Sequence, residues 1–268
     1  MSIQSQRAEQ SSKTMTSYLA PRVREIQPSG IRRFFDLASG SKDIITLGVG
    51  EPDFITPWHV REACVYSLER GYTSYTSNAG TPELREAIAE YLYTGYQVKY
   101  DPKDEILVTV GGSEAIDLAL RALVEPGDEI LIPVPCYISY SPITMIGGGV
   151  PVEIETYAKH DFKLQAEDLK AKITPKSKVL ILNYPSNPTG GIMTYEDWLP
   201  IAKIVEENDL IVISDEIYAE LTYGQKHVSF ASIPGMKDRT ILVNGFSKAF
   251  AMTGWRMGYA CGHPDLIY

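Results

Sequence analysis

Seven short apolar segments recur between residues 105 and 261, and most of them are separated by stretches whose apolar residues have helical spacing. Most of the segments are rich in Val, Ile and Leu, and all are too short for typical helices, which indicates buried strands. Strands that alternate with helices predict an α/β fold with a largely parallel sheet. The predicted strands are residues 105–110, 129–133, 150–154, 178–182, 210–214, 240–244 and 256–261.

Helices are expected before and between these strands. The patterns predict helices over residues 58–70, 161–173 and 194–207. Another predicted helix begins with Thr81 as its N-cap and Pro82 at its first position. Because ligands of parallel sheets bind beyond the carboxyl ends of the strands, polar residues that follow the strands are the candidates for a functional site.

Charge and cysteine usage exclude several classes of function. The net charge is −9 and basic residues do not cluster, which argues against nucleic acid as a partner. The three cysteines have neither metal-ligand nor disulfide spacing, so we expect no metal and reduced thiols. No apolar run approaches membrane-spanning length and the N-terminus does not resemble a signal peptide, so we expect a cytoplasmic protein without a membrane partner.

The most informative stretch is TILVNGFSKAFAMTGWRMGYACG, residues 240–262. Lys248 follows a predicted strand among small and aromatic residues, where poor solvation should lower its pKa from about 10.4 and favour the nucleophilic amine. Arg256 and the hydroxyl of Ser247 would suit a phosphate. An amine that forms Schiff bases beside a phosphate site indicates pyridoxal phosphate (PLP), although Lys248 and Arg256 could equally be surface charges that flank a turn.

Three further segments place polar groups after predicted strands. Asp215 comes soon after four apolar residues, where an ionised carboxylate requires a cation such as a protonated pyridine nitrogen; the alternative is a helix cap. Asn187 lies between two prolines, where its amide could donate hydrogen bonds or merely form a turn. Residues 111–113, Gly-Gly-Ser, open a predicted helix whose free N–H groups would point at an anion, although many such turns bind nothing.

The segments SKAFAMTGWRMG (residues 247–258) and NPTG (residues 187–190) resemble the signatures of the class I/II aminotransferases, which are fold-type-I PLP-dependent enzymes. The resemblance implies a large domain with a mostly parallel sheet of seven strands, flanked by helices, whose last strand is antiparallel. It also implies that Lys248 holds PLP as a Schiff base and that Arg256 binds the phosphate. A cis peptide bond before Pro188 is a further expectation.

The resemblance assigns roles to other residues as well. Lys248, Asp215 and Tyr218 match catalytic positions of the family, whereas Gly50 and Asn187 match positions near the substrate carboxylate. Aromatic stacking on the pyridine ring and a contact across a subunit interface complete the implied site. The implied cofactor-binding residues are Gly112, Ser113, Glu114, Tyr137, Asn187, Asp215, Tyr218, Ser247, Lys248, Arg256 and, from a neighbouring subunit, Tyr75.

Two of these assignments have simple alternatives. Tyr137, which would stack on the pyridine ring, could instead be a core aromatic at the start of a helix. Tyr75, which would reach the cofactor phosphate of a partner subunit, could be an ordinary exposed loop residue. If its role carries over, the active site is shared across a homodimer.

The function that the resemblance implies is transfer of an amino group between an L-amino acid and a 2-oxo acid by a ping-pong mechanism. Other fold-type-I PLP enzymes, such as carbon–sulfur lyases, share every residue named above. The alternatives from another class are a non-catalytic PLP-binding module and a nucleotide-binding domain that uses residues 111–113. The identity of the amino acid is not predicted.

The resemblance also predicts a domain organisation. We expect a disordered leader at residues 1–16, an N-terminal arm with part of a small domain at 17–43, and a large PLP-binding domain at 44–268. Family members continue beyond the position of Tyr268 into a C-terminal small domain with an arginine for the substrate α-carboxylate. We therefore expect a C-terminally truncated chain that binds PLP but transaminates poorly.

Overall fold

The computed structural model describes residues 14–27, 30 and 50–267. Residues 50–267 contain a seven-stranded sheet flanked by helices. The strands are β1 (Ile106–Thr109), β2 (Glu129–Val134), β3 (Val150–Glu155), β4 (Ser177–Asn183), β5 (Ile211–Asp215), β6 (Thr240–Gly245) and β7 (Gly258–Cys261). The helices whose bounds lie among the described residues are α1 (Pro21–Arg24), α2 (Trp58–Glu69), α3 (Pro82–Tyr96), α4 (Gly111–Leu123), α5 (Tyr140–Gly147), α6 (Ala166–Lys172), α7 (Tyr195–Glu207) and α8 (Pro264–Ile267).

The strand order is β1–β7–β6–β5–β4–β2–β3. The neighbours from β6 to β3 are all parallel, whereas β7 is antiparallel to both β1 and β6. The connection from β6 to β7 contains only a 3₁₀ turn, Thr253–Trp255, and no α-helix that could carry the chain back for a parallel strand, which suits an antiparallel neighbour. All seven predicted strands, the mostly parallel sheet and the antiparallel last strand are therefore confirmed.

Apolar side chains cover the two faces of the sheet. Ile116 and Leu120 of α4 and Tyr140 of α5 pack on one face. Leu169 of α6 and Trp198 of α7 pack on the other face. Because both faces are buried, the central strands are apolar at nearly every position rather than at alternate positions. Each large side chain removed from water contributes about 1.5–3 kcal/mol to this packing.

The helix boundaries confirm some sequence predictions and correct one. Thr81 caps α3 by accepting the N–H of Leu84, and Thr194 caps α7 with a reciprocal pair of hydrogen bonds to Asp197. The helix predicted over residues 161–173 is wrong in its first part, because α6 begins only at Ala166. Asp161 has a φ of 52°, and this left-handed conformation does not continue a helix.

The described residues near the N-terminus form a 3₁₀ turn, Met15–Tyr18, and the four-residue helix α1, with side chains that are almost all exposed. Most of the predicted leader at residues 1–16, and most of residues 17–43, lie outside the described residues, so the predicted domain division stays a prediction. Among the described helices, none combines the length and the apolar character that crossing a membrane requires.

Candidate active site

Three neighbouring strands end close together, and the segments in which the sequence predicts site residues follow their carboxyl ends. Asn183 ends β4 and is paired in register with Asp215, which ends β5. Asp215 is in turn paired with Val243 of β6, and the segment that follows β6 carries Ser247 and Lys248. Because parallel strands end at one edge of a sheet, these residues lie close together although they are distant in sequence.

Lys248 is partly buried in the connection between β6 and β7. Its Nζ donates a hydrogen bond of 2.5 Å to the carbonyl of Gly50 and lies 5.8 Å from the ring centre of Tyr218. Burial lowers the pKa of Lys248, the charge of Glu51 opposes this effect, and the charge of Arg256 adds to it. The sequence prediction of a lysine with a lowered pKa thus agrees with the structure.

Arg256 lies against the first residue of α4. A Cβ atom at Gly111, whose φ is +75°, would be only 2.5 Å from Nη2 of Arg256. Nη1 of Arg256 also donates to the carbonyl of Thr253 at 3.0 Å, which orients the guanidinium group. A forked cation and the positive end of a helix therefore meet at one point, which is a favourable arrangement for a phosphate.

The first turn of α4 supplies further donors to that point. Gly112 and Ser113 lie in this turn, where backbone N–H groups have no partner inside the helix. The carboxylate of Glu114 accepts a hydrogen bond from the N–H of Val110, so its side chain folds back over the start of the helix. The backbone N–H groups, rather than the Glu114 side chain, are the groups suited to an anion.

Asp215 is 6% exposed, and each of its side-chain oxygens accepts a hydrogen bond. Oδ2 accepts from the hydroxyl of Tyr140 at 2.7 Å and Oδ1 from the N–H of Ile217 at 3.2 Å. Burial raises the pKa of Asp215 to about 6, although both hydrogen bonds act in the opposite direction. Residues 217–220 form turns rather than a helix, so Asp215 is not a helix cap.

Asn187 and Tyr218 come together beside Asp215. Nδ2 of Asn187 lies 3.5 Å from the hydroxyl of Tyr218, and burial raises the pKa of Tyr218. The Asn187–Pro188 peptide bond is cis, as predicted. Oδ1 of Asn183 accepts the N–H of Asn187 at 2.9 Å, and Nδ2 of Asn183 donates to the carbonyl of Asp215 at 3.0 Å. Asn183 thus joins the segments that carry Asn187 and Asp215.

The remaining predicted residues differ in how closely they join this group. The Tyr137 ring packs edge-on against Tyr140, with ring centres 5.5 Å apart, so it lies next to the Asp215 pair. Ser247 is buried between β6 and Lys248. Gly50 reaches the site through its carbonyl and Lys248. Tyr75 is fully exposed, and within the described residues it makes no hydrogen bond to the group.

Two residues of the site were not identified from the sequence. Tyr140 bonds directly to Asp215, and its only signal is its position three residues after Tyr137. Asn183 is a polar residue at the end of an otherwise apolar strand. The same pattern was the reason for predicting Asp215 as a site residue. Neither signal identifies the partner, because the partner depends on strand register and helix packing.

The assembled residues fit PLP. They comprise a partly desolvated amine, an anion site where a side chain at Gly111 would collide with Arg256, and a buried carboxylate whose raised pKa shows that it would gain from a cationic partner. Among the described residues, no cluster of His, Cys, Asp and Glu could hold a metal ion. The combination of amine, anion site and carboxylate matches an aldehyde with a phosphate and a basic ring nitrogen.

Comparison with known proteins gives the family. Residues 42–268 match the family model for aminotransferases of class I and II. The chain is 49% identical over 250 residues to the aspartate aminotransferase of Pyrococcus abyssi, covering 93% of this chain and 64% of the relative. It is 46% identical over 242 residues to the aromatic-amino-acid aminotransferase 2 of Thermococcus litoralis, covering 90% of this chain and 62% of the relative.

The fold agrees with solved structures of the same kind. The structure of aspartate aminotransferase from Thermus thermophilus with maleate superimposes with a TM-score of 0.88 at 40% identity, covering 93% of this chain and 65% of that one. The chain thus spans between 62% and 65% of the length of these three proteins. The motifs, the seven-stranded sheet with its reversed strand and these matches agree, and the chain belongs to the class I and II aminotransferase family.

Proposed function

We propose that the protein binds PLP through Lys248 and transfers an amino group between an L-amino acid and a 2-oxo acid. The observation that carries the proposal is the convergence of Lys248, the buried Asp215 and the Arg256–α4 anion site at one edge of the sheet. Relatives described as aspartate and aromatic-amino-acid aminotransferases support the reaction type.

The residues would divide the work of binding the cofactor. Arg256 and the N–H groups of Gly112 and Ser113 would hold the phosphate, because charge and the helix end both favour an anion there. Asp215 would accept a hydrogen bond from the pyridine nitrogen and keep it protonated. When bound, PLP supplies an electron sink that stabilises negative charge at the substrate Cα atom. Tyr137 would stack on the ring.

Lys248 would also move protons. Its lowered pKa keeps a larger share of the amine neutral, which is the form that attacks a carbonyl and accepts a proton from the substrate Cα. Asn187 and Tyr218, whose side chains approach within 3.5 Å, would donate hydrogen bonds to the phenolic oxygen of the ring. The carbonyl of Gly50, which accepts from Nζ of Lys248, would lie near the substrate.

A homodimer with shared active sites is part of the proposal. α2 has no buried residue, and its Trp58 and Leu68 are 63% and 62% exposed. Phe54 and Ile55, just before α2, are also strongly exposed, and Tyr75 is fully exposed. Large apolar side chains on one segment are typical of a surface that a partner covers, which favours a second copy whose active site Tyr75 would reach.

The test is an absorption titration of the chain with PLP. The unchanged chain should give a pH-sensitive visible band, and Lys248→Ala should not. Adding an amino-acid panel should remove the band for a donor, and a 2-oxo acid should restore it. Release of a thiol or sulfide together with free ammonia and a 2-oxo acid, without any need for an added 2-oxo acid as amino acceptor, would favour a carbon–sulfur lyase. A folded chain that gives no band at any PLP concentration would contradict the proposal.

A further inference from the structure

A buried polar cluster lies directly behind Asp215, and the proposed chemistry does not use it. The Glu216 cluster consists of Ser214, Glu216, His227 and Ser229. Glu216 is 1% exposed, and its Oε1 accepts the hydroxyls of Ser214 and Ser229, both at 2.9 Å, and the N–H of Phe230 at 3.2 Å. Its Oε2 lies 2.7 Å from Nε2 of His227. The carboxylate is thus fully surrounded by polar partners.

The cluster faces away from the proposed cofactor. Asp215 contacts Tyr140 of α5 on one face of the sheet, whereas Glu216 contacts residues around Phe230, which packs with α7 on the other face. Glu216 therefore has no direct access to the ring. Burying a carboxylate is unfavourable compared with a well-packed apolar side chain, so the cluster is poorly explained as a device for stability alone.

The contacts of Glu216 close a loop of the chain. The backbone leaves β5 at Asp215, passes through Tyr218 and returns at His227 and Ser229. Glu216 sits at the start of this loop, and its carboxylate binds residues at the end of it. A single side chain therefore fixes both ends of the segment that contains Tyr218.

A second carboxylate anchors the same loop from outside. Oε1 of Glu220 accepts the hydroxyls of Tyr91 at 2.5 Å and Tyr96 at 2.6 Å, both from α3. The Tyr96 ring also packs edge-on against His227, with ring centres 5.3 Å apart. Tyr218 thus lies midway between two anchored carboxylates, Glu216 and Glu220, and only the first of them is buried.

We propose that Glu216 is a positioning residue that holds Asp215 and Tyr218 at a fixed separation, so that both side chains engage the same ring. The inference rests on the proposed function, because the ring in question is that of PLP. An amide is a poor substitute for both oxygens: when its oxygen accepts from Ser214, Ser229 and Phe230, its NH2 group replaces Oε2 and can no longer accept from Nε2 of His227. The neutral amide also makes weaker hydrogen bonds than the carboxylate.

The test compares Glu216→Gln with the unchanged chain by two readouts. Without PLP, amide hydrogen exchange over residues 217–226 should become faster in Glu216→Gln, whereas exchange in β2 and β4 should not change. In the titration with PLP, the dissociation constant of PLP should rise at least tenfold in Glu216→Gln. The visible band should also shift, because Asp215 and Tyr218 can no longer both contact the ring. Ser229→Ala removes one donor to Glu216 and provides a milder second variant should Glu216→Gln fail to fold.

Glu129→Gln is the matched control. Oε2 of Glu129 also accepts two hydroxyls, from Thr174 at 2.6 Å and Ser177 at 3.1 Å. Glu129, however, is the first residue of β2 and lies at the amino-terminal ends of the parallel strands, away from the proposed site. This variant should leave PLP affinity unchanged. Faster exchange without a change in PLP affinity would reduce Glu216 to a structural role and overturn the proposal.

The outcomes also separate this inference from the proposed function. An unchanged chain that gives no PLP band contradicts the proposed function itself. If Glu216→Gln binds PLP with a dissociation constant within twofold of that of the unchanged chain, only the positioning role is overturned. If Glu216→Gln does not fold, the same comparison is made with Ser229→Ala.

Discussion

Asp215 illustrates what a single buried side chain contributes at the residue scale. Its carboxylate is held by the hydroxyl of Tyr140 and the N–H of Ile217, yet burial still raises its pKa to about 6. The ionised form is therefore under-stabilised until a cation arrives. The same property that makes Asp215 suitable for a pyridinium makes it unfavourable for the stability of the cofactor-free chain.

Asp215→Asn should stabilise the cofactor-free chain at neutral pH. Because the folded pKa lies above the unfolded value of 3.8, stability from protonated Asp215 is present below about pH 4 and is lost as the pH rises through 6. A shift of roughly two units corresponds to about 3 kcal/mol, less whatever the Asn side chain loses in hydrogen bonding. Urea unfolding at about pH 7.5 should show the gain, and at about pH 5 the gain should shrink. A variant that is equally destabilised at both pH values would contradict the argument.

Tyr140→Phe should raise the pKa of Asp215 further. The lost hydrogen bond spans 2.7 Å, and bonds to charged groups contribute about 1.5–3 kcal/mol, or about one to two pH units. Carbon-13 NMR of labelled aspartate carboxyls in the cofactor-free chain would follow the titration. Tyr137→Phe is the control, since the Tyr137 hydroxyl makes no hydrogen bond to Asp215 in the described structure. Equal shifts in the two variants would contradict a specific role for Tyr140.

At the scale of elements, α4 and β7 meet at a seam where their backbones touch. A Cβ atom at Gly258 would lie 2.5 Å from the carbonyl carbon of Gly111 and 2.5 Å from the nitrogen of Gly112. Backbone atoms cannot move aside as the end of a flexible side chain can. This close approach is what brings Arg256, just before β7, against the start of α4.

Gly258→Ala should push the backbones of α4 and β7 apart. We expect a loss of about 1–3 kcal/mol in the free energy of unfolding, as for other overpacked sites, and weaker binding of PLP because the anion site widens. Urea unfolding and PLP titration measure the two effects. Gly254→Ala is the matched control, because a Cβ atom there would meet nothing within 4 Å. Equal losses in both variants would show that the seam has no special role.

The elements also show what the sequence can and cannot predict. Most of the strands were predictable because they are short apolar runs, and Lys248 and Asn187 because they lie in specific motifs. The early start predicted for α6 was wrong because the left-handed conformation of Asp161 is a property of the local backbone that apolar spacing does not report. Tyr140 and Asn183 were missed because their roles depend on which residues the sheet brings opposite them.

At the scale of the whole molecule, the exposed apolar surface around α2 predicts self-association. Trp58→Glu or Leu68→Glu should convert a dimer into monomers, because a charge in a buried interface is left without a partner. Sedimentation velocity over a range of concentrations measures the change. Tyr223→Glu is the control, since Tyr223 is an exposed aromatic outside this surface. A dimer that survives both α2 substitutions would place the interface elsewhere.

The position of β7 between β1 and β6 has a consequence for the order of assembly. β7 is the last of the described strands in sequence, yet it lies in the interior of the sheet rather than at an edge. Until it arrives, β1 has no strand neighbour among the described residues, Arg256 is not beside α4, and the anion site does not exist. Since such distant contacts form slowly, the anion site should appear only after β7 has entered the sheet, and a chain in which β7 is still outside would have to bind a phosphate without Arg256.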